Sequence, residues 1–136
     1  MTSLRRLVPL LVATMVSCSR EATQPSELPA NLVLGTYGGE GVEVVATATT
    51  VQVSFTCDGA LFERPLLPWT DGRFMLGGAV SRAGTRWFAM TVQGAMSGDQ
   101  IAFQAVRLDV SGEVYRSEHV VYRDRRGSFG QRLCML

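Results

Sequence analysis

Apolar and polar residues alternate with a period of two along much of this chain, and that alternation constrains the fold more than any other feature. The pattern VEVVAT starts at Val42 and VQVSFT starts at Val51, and similar stretches cover residues 73–80, 87–93 and 101–105. Successive side chains of a β-strand point to opposite faces, so each stretch is typical of a strand with one buried face. The chain is therefore expected to fold from strands.

Turn signals separate these stretches. Asp-Gly occurs at residues 58–59 and 71–72, Ser-Gly occurs at 97–98 and 111–112, and a last strand is expected over 128–134. Such pairs favour tight turns, and the chain contains no capped apolar stripe of helical period. The sequence predicts an all-β domain, a single antiparallel β-barrel of about 7–8 strands. A β-sandwich is the alternative, but a barrel is favoured because closure removes exposed strand edges.

The N-terminal residues have the composition of an export signal. An apolar run at residues 7–16 follows two arginines and is too short to span a bilayer as a helix. The letters MVSC at residues 15–18 then resemble the bacterial lipobox, whose cysteine is lipidated and becomes the mature N-terminus. The resemblance implies lipidation of Cys18. An ordinary secretory signal cut nearby, for instance after Ala22, is the alternative.

These features divide the chain into three parts. Residues 1–17 are assigned to a lipoprotein signal peptide, residues 18–31 to a polar, proline-containing flexible tether, and residues 32–136 to the β-barrel domain. Ser19 stands where an aspartate retains many lipoproteins at an inner membrane. We therefore expect a lipid-anchored protein of the bacterial cell envelope, at the outer membrane and facing the periplasm.

The charge balance argues against a polyanionic partner. All 13 basic residues are arginines, and the chain has 12 acidic residues. Two arginines leave with the signal, so the mature chain has 11 basic against 12 acidic residues and a formal net charge of −1. A near-neutral domain has no electrostatic footprint for nucleic acid and no polybasic face for anionic lipid. Membrane attachment is therefore expected through the acyl chains of the anchor.

The cysteines fit an oxidising compartment. If Cys18 carries lipid, Cys57 and Cys134 remain, and an even remainder in an exported chain favours a disulfide. That bond would close a loop of about 78 residues, for which chain entropy gives roughly 4.5 kcal/mol. Two unpaired buried thiols are the alternative. Two cysteines and one histidine are too few for a zinc site of normal ligand count, and we expect no metal or cofactor.

Nothing in the sequence marks a catalytic centre. The glycine-rich stretch LGTYGGEG at residues 34–41 precedes a predicted strand, whereas a phosphate-binding loop precedes a helix. His119 shares a strand face with Ser117, but two residues of strand separate them by nearly 7 Å, too far for a nucleophile–base hydrogen bond. We therefore predict no enzyme and no catalytic residues. Trp69 and Trp87 are the aromatic residues predicted to line the mouth of a ligand site.

Two resemblances extend this interpretation. The segments GTYGGEGVEV, VQVSFTCDGAL, MTVQGAMSGDQIAFQAV and RLC, within residues 34–134, resemble a group of small bacterial lipoproteins of uncharacterised function. That resemblance implies a lipocalin-like β-barrel with one disulfide. The segments VSFTCDG and SGEVY resemble the membrane-bound c-type lysozyme inhibitors, in which a Ser-Gly loop enters the enzyme cleft. This second resemblance implies binding roles for Ser111 and Tyr115, although no lysine follows them here.

The sequence thus predicts a non-catalytic binding role in the cell envelope. A small apolar ligand inside the barrel is the leading hypothesis, since a barrel of about eight strands either holds one small ligand or is filled by its own side chains. The alternative is a protein-binding module such as a lysozyme inhibitor, whose partner is an envelope protein.

Overall fold

The computed structural model describes residues 28–83, 86–108 and 111–130, without the side chains of residues 79–88. In this part of the chain the structure has eight strands and no helix. The strands are β1 (Gly35–Gly39), β2 (Val42–Ala46), β3 (Val51–Phe55), β4 (Gly59–Phe62), β5 (Arg73–Ala83), β6 (Arg86–Ser97), β7 (Gln100–Leu108) and β8 (Val114–Arg123). Accordingly, none of the described residues belongs to a helix able to cross a membrane.

The strands form one antiparallel sheet in the order β4-β3-β2-β1-β8-β7-β6-β5. Every two consecutive strands except β4 and β5 are paired, and β1 pairs with β8 through Tyr37↔Arg123 and Gly38↔Tyr122. The two edge strands, β4 and β5, lie side by side without a hydrogen-bonded ladder. The sheet is therefore a nearly closed up-and-down barrel with one seam, and the predicted all-β antiparallel barrel is confirmed.

The up-and-down order gives the barrel two distinct ends. The turns β1–β2, β3–β4, β5–β6 and β7–β8 meet at one end, which we call the hairpin end. The other end, the entry end, carries residues 28–34 and the connections β2–β3, β4–β5 and β6–β7. Strands β5 to β8 have 9 to 12 residues, but β1 to β4 have only four or five. One half of the barrel wall is therefore longer than the other.

Apolar side chains from all eight strands fill the described interior as one cluster. Full burial of a large apolar side chain contributes about 1.5–3 kcal/mol, so this cluster is the main source of stability. Tyr37, Leu66, Met90 and Ile101 are the largest members that are almost fully buried. The other members are Val33, Val42, Val44, Ala46, Val51, Val53, Ala60, Phe62, Phe74, Leu76, Val92, Phe103, Ala105 and Val121.

The chain after β8 turns back across the outside of β1. Asp124 N donates to Thr36 O at 2.8 Å, and Ser128 N donates to Gly39 O at 3.0 Å. A Cβ atom on Gly38 would collide with the backbone of Arg126. Gly38 thus serves a close backbone approach, and the stretch continues into β2 and not into the helix that a phosphate-binding loop requires. The predicted strand at 128–134 is represented in the described residues only by an isolated bridge from Ser128 to Glu40.

Candidate functional site at the hairpin end

The β7–β8 hairpin projects beyond the barrel. Val114, Tyr115 and Arg116 are consecutive strand residues, and all three are exposed. Because successive strand residues face opposite sides, neither face of this part of β8 packs on the core. Leu108, which pairs with Val114 in the ladder, is exposed as well.

Apolar side chains dominate the tip of this hairpin. Leu108, Val114 and Tyr115 are three of the large apolar residues exposed in the structure. The Tyr115 hydroxyl donates a hydrogen bond to the Glu113 carboxylate. Ser111 lies beside them at the exposed turn. The structure therefore brings the two residues predicted from the inhibitor resemblance, Ser111 and Tyr115, onto one accessible tip.

A polar cluster lies below this tip, on the inner face of the wall. Arg107 continues the inward face of Ile101, Phe103 and Ala105, and its Nη1 lies 3.3 Å from Oδ2 of Asp58. The two side chains are only 21% and 10% exposed. The Arg107 guanidinium also lies 4.1 Å from the centroid of the Phe55 ring, a cation–π contact.

The charges of this cluster are only partly compensated. Burial raises the pKa of the Asp58 carboxyl, and the charges of Arg107 and His119 oppose that rise. The Nε of Arg107 is buried and finds no hydrogen-bond partner among the described residues. Sequence reasoning missed both Asp58 and Arg107, although the parity of β7 places an arginine at an inward position and could have flagged it.

His119 and Ser117 contact each other, contrary to the sequence-based expectation. The Nε2 of His119 is 2.8 Å from the Ser117 hydroxyl, and the imidazole lies near the rings of Phe55 and Phe103, with centroids 5.0 and 5.3 Å away. The predicted 7 Å separation was wrong as a side-chain distance because side chains lean along the strand. Burial, followed by the charge of Arg107, lowers the pKa of His119, while Asp58 acts in the opposite direction. The imidazole is therefore biased toward its neutral form.

The backbones of the two tryptophans lie at different ends of the barrel. Trp69 lies in the β4–β5 connection at the entry end, where its backbone N donates to Arg73 O at 2.8 Å. The backbone of Trp87 pairs with Arg82 near the hairpin end. Eight residues of β5 lie between Arg73 and Arg82, so these two residues are on the order of 30 Å apart along the strand. The backbones of Trp69 and Trp87 therefore lie at opposite ends of the wall, and a binding role for either residue stays a prediction.

The cysteine predictions fall mainly outside the described residues. Cys57 is exposed in the turn between β3 and β4, whereas Cys18 and Cys134 are both outside the described ranges. Lipidation of Cys18 and the Cys57–Cys134 disulfide therefore stay predictions. Within the described ranges, no three His, Cys, Asp or Glu side chains are grouped so as to hold a metal ion.

Comparison with known proteins returned no family model, no curated protein and no solved structure that matches this chain. Its function is therefore argued from the geometry of the hairpin end.

Proposed function

We propose that this protein is a lipid-anchored, non-catalytic binding protein of the bacterial cell envelope that recognises a hydrolase of the c-type lysozyme kind. The projecting tip of the β7–β8 hairpin, which exposes Leu108, Val114 and Tyr115, is the observation that carries the proposal. Exposed apolar side chains at the end of a sheet, next to a tight turn, suit contact with a cleft of a partner protein. Tyrosine is among the residues that most often dominate such interfaces.

The packing of the barrel supports a protein partner over a small apolar ligand. An apolar ligand would have to occupy space that the buried side chains of the core cluster already take up. Protein interiors are packed as densely as organic crystals, so a ligand could enter only by displacing side chains. We therefore favour the protein-binding module over the small apolar ligand, and both remain proposals.

The composition of the tip fits a partner with an apolar and hydrogen-bonding cleft. Val114 and Leu108 provide apolar contact area, and Ser111 and the Tyr115–Glu113 pair provide hydrogen-bonding groups. The inhibitor resemblance, SGEVY at 111–115, includes four of these five residues and leaves out only Leu108. Without a lysine at this tip, recognition depends on Tyr115 and its apolar neighbours.

An activity assay of a c-type lysozyme with increasing amounts of the purified protein tests this proposal. We expect inhibition by the unaltered protein, and a loss of about 30-fold in potency for Tyr115→Ala, as for an interface hot spot of about 2 kcal/mol. Tyr122→Ala is the matched control, because Tyr122 lies on the same strand and is 40% exposed, against 46% for Tyr115. An unchanged lysozyme rate, or equal effects of the two substitutions, would contradict the proposal.

A further inference from the structure

Four large apolar side chains are exposed around the point where the chain enters the barrel. Leu28, Leu67, Trp69 and Met75, which we call the entry patch, are all exposed, and Trp69 reaches 59%. Trp69 and Met75 line one surface depression of about 490 Å³, and Leu67 and Met75 line the next. A contiguous apolar patch of this kind marks an interaction surface more often than isolated apolar residues do.

The backbone holds the entry patch in place. Val33 N donates to Leu66 O at 3.0 Å, and the Asn31 side-chain amide donates to Pro68 O at 2.9 Å. Residues 31–33 are thereby fastened to the connection that carries Leu67 and Trp69. Gly72 N in turn donates to Trp69 O at 2.9 Å. The exposure of Trp69 is therefore a property of a fixed connection and not of a fraying end.

The position of the predicted anchor identifies what covers this patch. Leu28 follows Cys18 by only ten positions in the chain. Even fully extended, this stretch spans at most about 36 Å. A lipid on Cys18 would therefore keep the entry end, rather than the hairpin end, close to a bilayer. Such a tether makes docking intramolecular, so that even a weak contact between patch and membrane is populated.

The chemistry of the patch fits the interface of a bilayer. Tryptophan is enriched at the level of lipid headgroups, where its ring contacts acyl chains and its N–H stays hydrated. An apolar surface held beside the bilayer would add buried apolar area to the attachment that the acyl chains provide. Near the patch, Arg73 is paired with Asp71 at 2.6 Å. The expected contact is therefore apolar and insensitive to salt.

We propose that the entry end lies against the lipid bilayer, with Trp69 at headgroup level, and that this contact points the hairpin tip away from the membrane. The proposal rests on the lipid anchor of the proposed function, and it replaces the expectation that the acyl chains alone make the membrane contact. The 12 residues of β6 span roughly 40 Å. Docking in this orientation would hold the Ser111–Tyr115 tip about that far from the lipid surface, where a protein partner can reach it.

Tryptophan fluorescence of the lipidated full chain tests this orientation. The Trp87→Phe variant keeps only Trp69, at the entry end. The Trp69→Phe variant keeps only Trp87, near the hairpin end. Each is reconstituted into phosphatidylcholine vesicles with and without lipids brominated on the acyl chains. We expect the emission of Trp69 to shift to the blue and to be quenched by bromine, equally at low and high salt. We expect the emission of Trp87 to keep its position and intensity.

Labelling of Cys18 with palmitate, compared with Cys18→Ser, separates the two proposals. Labelling with quenching of Trp69 alone supports the docked orientation. Labelling without quenching of Trp69, or with equal quenching of both tryptophans, overturns the docking while leaving the anchor intact. Absence of labelling overturns the anchor and the docking together. The lysozyme assay is independent of these outcomes because it needs no membrane.

Discussion

Replacing Arg107 by methionine should destabilise the protein strongly at neutral pH and much less in acid. The change removes the cation that lies 3.3 Å from the Asp58 carboxylate. That carboxylate, whose side chain is only 10% exposed, is then left without its counter-charge. Methionine keeps most of the apolar length of the arginine stem, so the loss is chiefly electrostatic. Removing one partner of a buried ion pair costs 3–5 kcal/mol. Because Arg107 is one-fifth exposed, we expect about 3 kcal/mol.

The pH dependence follows from the direction of the pKa shifts. Burial already raises the pKa of Asp58, and Arg107 opposes that rise. Without Arg107 the folded-state pKa of Asp58 rises further above its unfolded value, and the ionised form is penalised in the fold. The contribution of such a group is intact below its unfolded pKa of about 3.9 and is lost as the pH rises through the folded pKa. The deficit of the variant should therefore shrink as the pH falls from 7 toward 4.

Protonation of His119 should also reduce the stability deficit of the Arg107→Met variant as the pH falls. The charge of Arg107 is one cause of its lowered pKa, after burial. A lowered histidine pKa costs stability as the pH falls below the unfolded value, because the buried imidazole resists protonation. Removing Arg107 relieves part of that cost in acid. Both groups thus make the variant relatively more stable at low pH.

Chemical denaturation of the two proteins at pH 7, 5.5 and 4 measures this difference directly. The matched control is Arg73→Met, which breaks the Arg73–Asp71 pair. That pair is shorter, at 2.6 Å, but its side chains are 69% and 48% exposed. We expect no measurable change for the control, because solvent screens exposed pairs. Equal losses for both variants, or an Arg107→Met deficit that stays constant with pH, would refute the reasoning.

Three further predictions follow from the described contacts. Gly38→Ala should cost about 1–3 kcal/mol by collision with the Arg126 backbone, whereas Gly130→Ala, which meets open space, should be neutral in the same denaturation assay. The single histidine should titrate below its usual pKa in an NMR pH series, because burial favours the neutral imidazole; a midpoint at or above the usual value would contradict the packing around His119. Native mass spectrometry should show the mass of the protein alone, because the core cluster fills the interior; a co-purifying apolar molecule would revive the small-ligand hypothesis.

The sequence predicted the fold class because the relevant signal is local. Side-chain alternation reports the two faces of a strand, and Asp-Gly and Ser-Gly pairs report turns, with no need to know which strands meet. A chain built mostly of evenly spaced strands favours a sheet that closes into a barrel, because closure removes exposed strand edges. The structure is such a barrel, nearly closed. The local pattern also predicted correctly that a strand, and not the helix of a phosphate-binding loop, follows LGTYGGEG.

The candidate site could be predicted only in part. Ser111 and Tyr115 were found through a short resemblance, and the structure places them together because they lie four residues apart on one hairpin. Trp69 and Trp87 were grouped by residue type alone, and the register of β5 and β6 separates them. Asp58 and Arg107, 49 residues apart in the chain, were missed because no local pattern couples a turn carboxylate to an inward arginine.

The sequence by itself determined the strands, the turns and the predicted lipid anchor, because each depends on neighbouring residues. Tertiary structure alone decided that apolar side chains from all eight strands form one buried cluster, that Arg107 meets Asp58, and that the chain after β8 crosses Gly38. It also decided that Trp69 lies at the end where the tether enters and the β7–β8 tip at the opposite end. The physical reason is that these contacts join residues far apart in the chain, and only the closed register of the barrel fixes which of them meet.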